Sequence, residues 1–332
     1  MIRPLLLSLC IATLLVACAN HEKPPAESGD SVRDSMPMAF VAPDTSTIPV
    51  GKVGDMIRYG RELIVNTPLY LGPKGSVGKY AGNLLACTSC HLDAGTRPYG
   101  LSLISSHARY PQYRMREARI LSLGERVNNC IERPLNGRPI PMDSKEMNAI
   151  LMYMKWLAKG IPVDGRVPGD DLMKMPLLDR AADPAKGKLV YDQHCVRCHG
   201  DDGQGILAAE GTKYTYPPLW GPNSYQPGSS MHRLIKAAQF IKYNMPQDLA
   251  RWDKPVLTDE EAYDVAAYVN DDELHTRPPV PPEAPNYPIA KERPIDFYLG
   301  PFADPFSSKQ HKFGPYKEIF AWRKQHGHPT GY

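Results

Sequence analysis

Two pentapeptides constrain this chain more than anything else in it: Cys87-Thr88-Ser89-Cys90-His91 and Cys195-Val196-Arg197-Cys198-His199. Two cysteines three apart followed by histidine form the attachment signal for a c-type haem. The thiols add across the haem vinyl groups, and the neighbouring imidazole lies beneath the iron, so one short segment gives both tether and proximal ligand. A zinc half-site would need a second Cys or His pair at a plausible spacing, and neither pentapeptide has one nearby. The chain is therefore expected to carry two covalently bound haem c groups, on Cys87, Cys90 and His91 and on Cys195, Cys198 and His199. Its 332 residues divide naturally into two domains with one haem each.

Four of the seven cysteines are used in this way, leaving Cys10, Cys18 and Cys130. The net charge of +3 is near neutral for this length and gives no reason to expect nucleic acid or an acidic membrane surface as a partner. Residues 1–17 read as an export signal: Arg3 precedes an apolar run from Pro4 to Ala17 that is too short to span a bilayer. Leu15-Val16-Ala17-Cys18 resembles a bacterial lipobox, which predicts a lipidated Cys18, a periplasmic location and membrane contact only through that anchor. Residues 18–48, rich in Pro, Ser, Asp and Thr, read as a flexible spacer.

The order of parts then repeats. The first domain, 49–165, opens with a helix carrying Val53, Ile57, Leu63 and Ile64 with Gly54 and Gly60. After His91 come loop and short helices. A closing helix follows, capped by Asp143 with Glu146, with Met147, Ile150, Leu151 and Met154 on one face. A linker, 166–183, leads to the second domain, 184–275. Asp183 and Pro184 start its first helix, Leu234 to Ile241 form a short one, and Thr258 with Glu261 cap the last. Helix, haem site, loop, distal ligand, closing helix resembles the class I cytochrome c order in both halves. The expected fold is thus mainly α, two class I cytochrome c-like domains with an extended C-terminal tail, 276–332, packed over them. The tail begins in a proline run from Arg277 to Pro282, and its aromatic residues are too many to leave in water.

Distal ligands separate an electron carrier from a catalyst. In the second domain Met245 follows His199 by 46 residues (245 minus 199), and the proline after it favours an extended backbone that presents the thioether. Its competitors are Met231 and His232. In the first domain, Met142 and Cys130 follow His91 by 51 and 39 residues, and spacing does not separate them. Charge bears on the choice: from Arg109 to Arg138 there are seven arginines and three glutamates, 7 minus 3 or +4. Guanidinium groups stabilise a thiolate and bind dianions, and they also pair with haem propionates.

The stretch Arg126-Val127-Asn128-Asn129-Cys130-Ile131-Glu132-Arg133-Pro134-Leu135-Asn136-Gly137-Arg138-Pro139, set between two haem-attachment sites, resembles the thiosulfate dehydrogenase family of dihaem cytochromes. Gln310-His311-Lys312-Phe313-Gly314-Pro315 is similar to the same family, and the resemblance spans about residues 50–320. It implies that Cys130 is the catalytic residue and distal ligand of the first haem, opposite His91. It also implies that Met245 faces His199 on the electron-transferring second haem. Thiosulfate and tetrathionate would be substrate and product. Arg119, Arg126 and Arg133 are the candidate anion contacts, and a small cytochrome c or another high-potential protein is the electron acceptor. Some members carry lysine where this chain has Asn244, and some relatives have serine where it has Pro134. The rival readings are a dihaem electron carrier without substrate and a dihaem peroxidase.

Overall fold

Apolar side chains recur three and four apart along Lys52–Val65 (α1), and Ile57, Gly60, Leu63 and Ile64 turn inward. This computed structural model describes residues 41–280 and 286–332. The export signal over 1–17, Cys10, the lipidated Cys18, the spacer up to residue 40 and the end of the proline run fall outside the described residues. No helix among the described residues is long and apolar enough to cross a membrane.

After α1 come Thr67–Leu71 (α2), the first haem-attachment segment, and a one-turn element Leu92–Gly95 (α3). The arginine-rich stretch expected as loop and short helices contains an antiparallel hairpin, Gln112–Arg114 (β1) with Arg119–Leu121 (β2), in which Arg114 faces Arg119. Leu123–Glu132 (α4) follows, started by Ser122, whose hydroxyl accepts from the Glu125 N–H while the Glu125 carboxylate accepts from the Ser122 N–H. The closing helix, Lys145–Leu157 (α5), is capped one residue later than expected. Ser144 accepts the Met147 N–H, so Asp143 is not the cap. Met147, Ile150 and Met154 are buried against the first core, with Leu151 packed at its edge.

The second half repeats this frame. Asp183 caps Pro184–His194 (α6), and the attachment segment contains the short Val196–His199 (α7). A two-stranded ribbon, Ile206–Leu207 (β3) with Tyr214–Tyr216 (β4), leads on to Leu234–Asn244 (α8) and Asp259–Val269 (α9), with Thr258 and Glu261 forming the expected capping box. In each half the first and last helices cross at a glycine. A Cβ on Gly60 would lie 2.0 Å from the Ala149 carbonyl oxygen, and one on Gly187 would lie 1.9 Å from that of Asp264.

Residues of the linker contribute to both halves, with Val167 in the first core and Met175 in the second. The tail packs over both as well, but it is in part helical where an extended chain was expected: Ser308–Phe313 (α10) and Tyr316–Gln325 (α11). Tyr316 and Ile319, one helical turn apart, are buried against α8 and α9. The Tyr287 N–H donates to the Arg116 carbonyl, 2.7 Å. A further seam joins the halves directly. Asn83 and Asn136 both donate to the Ser224 carbonyl, Gln226 donates to that of Glu132, and Tyr225 is buried in the first core.

Candidate active site and haem centres

The two attachment histidines are held alike. His91 Nδ1 meets the Leu101 carbonyl at 2.5 Å, and His199 Nδ1 meets the Pro217 carbonyl at 2.8 Å. A carbonyl can only accept, so each Nδ1 carries the proton and each Nε2 keeps a free lone pair for a metal. A cavity of about 730 Å³ runs from Thr88, Ser89 and Cys90 to Cys195, Cys198 and His199, with mostly apolar walls. Burial pushes the Cys87 thiol up to about 11, and the Cys90 and Cys195 thiols up to about 12. Neutral thiols are what addition to a vinyl group consumes, and these sulfur atoms stand in for thioethers. Thiols, oriented imidazoles and apolar lining fit two covalent haems.

Cys130 behaves in the opposite way. It lies on α4 one turn after Arg126, whose Nη1 is 2.9 Å from its Sγ. Burial would raise the thiol. The Arg126 guanidinium, hydrogen-bonded to the sulfur, and the neighbouring His91 ring bring it down to about 6. A thiolate is therefore the prevailing form at neutral pH, a strong donor set beside the first attachment histidine. Met142 is placed elsewhere. Its sulfur lies 3.6 Å from Asn128 Nδ2 and its methyl packs over Gly124. Gly124 and Asn128 are each two positions from Arg126 and Cys130 respectively along α4, a rotation of about 200°, so Met142 occupies the opposite face of the helix.

The arginines divide by their partners. Arg119 turns outward, with Nη1 2.6 Å from the Glu125 carboxylate and 56% of its side chain exposed. Arg133 is buried and paired with Glu117 at 2.7 Å, which also accepts from Asn129. Of the three candidate anion contacts, the structure brings only Arg126 to Cys130. It adds Arg114, which the selection from sequence passed over. Arg114 is half-buried and has no ion-pair or hydrogen-bond partner among the described residues. Burial, and then the neighbouring Arg126 charge, hold its pKa below the usual range. Arg114 and Arg119 are cross-strand partners at the end of the hairpin, yet Arg119 is drawn out to Glu125 and Arg114 is not, a difference with no marker in the sequence.

In the second half, Met245 ends α8 with an extended backbone, φ −126° and ψ 143°, as a residue before proline should. It lines the cavity together with His199, and so does Met231. His232 is engaged otherwise, its Nε2 3.0 Å from Asp272. Asn244 is buried, and its amide donates to the carbonyls of Tyr99 and Phe240, tying α8 to the first half.

Comparisons with known proteins identify the family. A family model described as SoxA/TsdA, cytochrome c domain, matches residues 79–163, and one described as Cytochrome c matches 184–271. The chain is 38% identical over 242 residues to the thiosulfate dehydrogenase of Stutzerimonas stutzeri (strain A1501), covering 73% of this chain and 74% of that one. It is 37% identical over 264 residues to the thiosulfate dehydrogenase of Allochromatium vinosum, covering 78% and 88%. Among solved structures it is similar to thiosulfate dehydrogenase (TsdBA) from Marichromatium purpuratum in its as-isolated form, with a TM-score of 0.64 and 33% identity. That match covers 70% of this chain and 49% of the other, so this chain spans about half the length of that longer protein.

Proposed function

Because the chain belongs to the thiosulfate dehydrogenase family and holds two covalent haem c groups, we propose that it joins two thiosulfates into one tetrathionate. The observation that carries this reading is the Cys130 sulfur, held as a thiolate by Arg126 at 2.9 Å and set beside His91. An electron carrier has no use for a thiolate among guanidinium groups. In the reaction one S–S bond forms between the outer sulfurs of two thiosulfate dianions, two electrons leave and no proton is released. The haems supply the acceptor chemistry, one electron each.

The residues of the chain do the rest. His91 with Cys130 would hold the iron of the first haem, and His199 with Met245 that of the second. Arg126 and Arg114 offset the mutual repulsion of two dianions and orient them by charge-assisted hydrogen bonds. Arg133 and Glu117 brace the floor of the site, and Arg119 stays on the surface. Asn244 leaves Met245 without a lysine rival, and its amide is already committed to backbone carbonyls. The proposed setting is the periplasm, with the chain held to the membrane by lipid on Cys18 and its electrons passing to a small cytochrome c or similar high-potential protein. The support for that setting is the lipobox sequence and the covalent haem signals.

The test uses purified holoprotein with ferricyanide as acceptor. Thiosulfate should drive ferricyanide reduction with one tetrathionate formed for every two ferricyanides consumed. Cys130→Met, with both haems still attached by mass spectrometry, should lose this activity. Absence of thiosulfate-dependent reduction in the wild type would return the chain to the carrier class, and turnover driven only by peroxide would mark a peroxidase.

A further inference from the structure

At the seam between the halves lies an arginine whose charge nothing among the described residues neutralises. Arg277 follows the last helix of the second half, its guanidinium stacked over the Tyr225 ring at 4.2 Å. Its hydrogen bonds among the described residues are all with neutral groups. Nη2 donates to the Val269 carbonyl at 2.6 Å and to Asn270 Oδ1 at 3.1 Å, while contacts to Tyr225 and Ser224 stretch to between 3.4 and 3.5 Å. Its Nε is buried and has no hydrogen-bond partner among the described residues. Of the acids just before it in sequence, Glu273 is exposed and makes no ion pair with it, Asp271 accepts from the Glu273 N–H, and Asp272 takes His232, Tyr298 and Lys312. Arg277 as a whole is half-buried, but a guanidinium with a buried, unpartnered N–H and no carboxylate beside it among the described residues lacks an anion, and the usual remedy is a carboxylate.

The surroundings indicate where that carboxylate comes from. Tyr225 and Asn270, the two side chains that Arg277 holds, both line the cavity joining the two haem-attachment segments. They are 8% and 2% exposed, so the anion reaches them from inside the cavity and not from bulk water. The group that fills this cavity carries two propionates.

We propose that Arg277, with Tyr225 and Asn270, is the seat of a haem propionate in the wall between the two haems, and that its charge raises the midpoint potential of the haem it holds. A positive charge near iron disfavours the ferric state, so removing it lowers the potential. Tyr225 belongs to the first core and Asn270 to the second half, so the propionate could come from either haem, and the experiment distinguishes them.

The experiment is spectroelectrochemical titration of the full holoprotein and of Arg277→Gln and Arg277→Lys, each first shown to carry two covalent haems. In Arg277→Gln the midpoint of one haem should move to lower potential while the other stays, and the haem that moves identifies the propionate. Arg277→Lys should restore most of that shift, because it keeps the charge. Unchanged potentials in Arg277→Gln would overturn the proposal. Equal shifts in the Gln and Lys variants would also overturn it, since a loss of packing moves the potential without regard to charge.

Discussion

Arg126 and Cys130 lie one helical turn apart, and that spacing does more for the site than any other pair of residues. The guanidinium holds the sulfur as thiolate and, in the proposed reaction, also faces the incoming dianion. Arg126→Gln should therefore raise the thiosulfate KM about tenfold or more, the loss of one charge-assisted bond of roughly 1.5 to 3 kcal/mol. Steady-state kinetics at low salt checks this, and an unchanged KM would return Arg126 to a purely structural part. Cys130 and Arg126 were both legible in sequence, because a short motif between two haem signals carries them. Arg114 was not, since what sets it apart from its cross-strand partner Arg119 is that Glu125 draws Arg119 outward, a contact between side chains that the sequence does not mark. Met142 remained a rival to Cys130 for a related reason: spacing from His91 counts residues but does not say which face of α4 a side chain meets.

At the scale of elements, the helices that frame each haem announce themselves through caps and apolar spacing. Thr258 with Glu261 and Asp183 with Pro184 begin helices where their chemistry says they should. Asp143 and Ser144 are both good caps one residue apart, and only the observed hydrogen bond to Met147 N chooses Ser144. The tail helices were hidden by the proline run before them, and their inward faces, Tyr316 with Ile319, have meaning only against α8 and α9. Crossing glycines make the sharpest test here. A methyl on Gly60 or Gly187 would drive into a backbone carbonyl that cannot rotate away. Gly60→Ala and Gly187→Ala should each lower stability by about 1–3 kcal/mol through overpacking, with both haems still attached. Urea denaturation of the holoprotein measures this, and an unmoved midpoint would mean that the helices are free to separate.

Across the whole molecule, one plan is used twice. Both halves pair their first and last helices, and both fix a histidine by a carbonyl on Nδ1. Duplication was legible from the repeated pentapeptide. The closeness of the halves was not, because it rests on single contacts between distant stretches, Asn83 and Asn136 to Ser224 and Tyr225 in the first core. The seam keeps both attachment segments on one cavity, which suits passage of electrons from the first haem to the second. What separates this chain from a carrier, in the proposed reading, is the asymmetry of its distal faces, Cys130 as thiolate on one and Met245 on the other. Electron paramagnetic resonance of the oxidised holoprotein reads both ligand fields in one sample. It should show two distinct low-spin ferric species, one with the compressed g-spread of histidine–thiolate ligation and one of the histidine–methionine kind. A spectrum with histidine–methionine ligation at both haems would contradict the assignment of sulfur chemistry to Cys130.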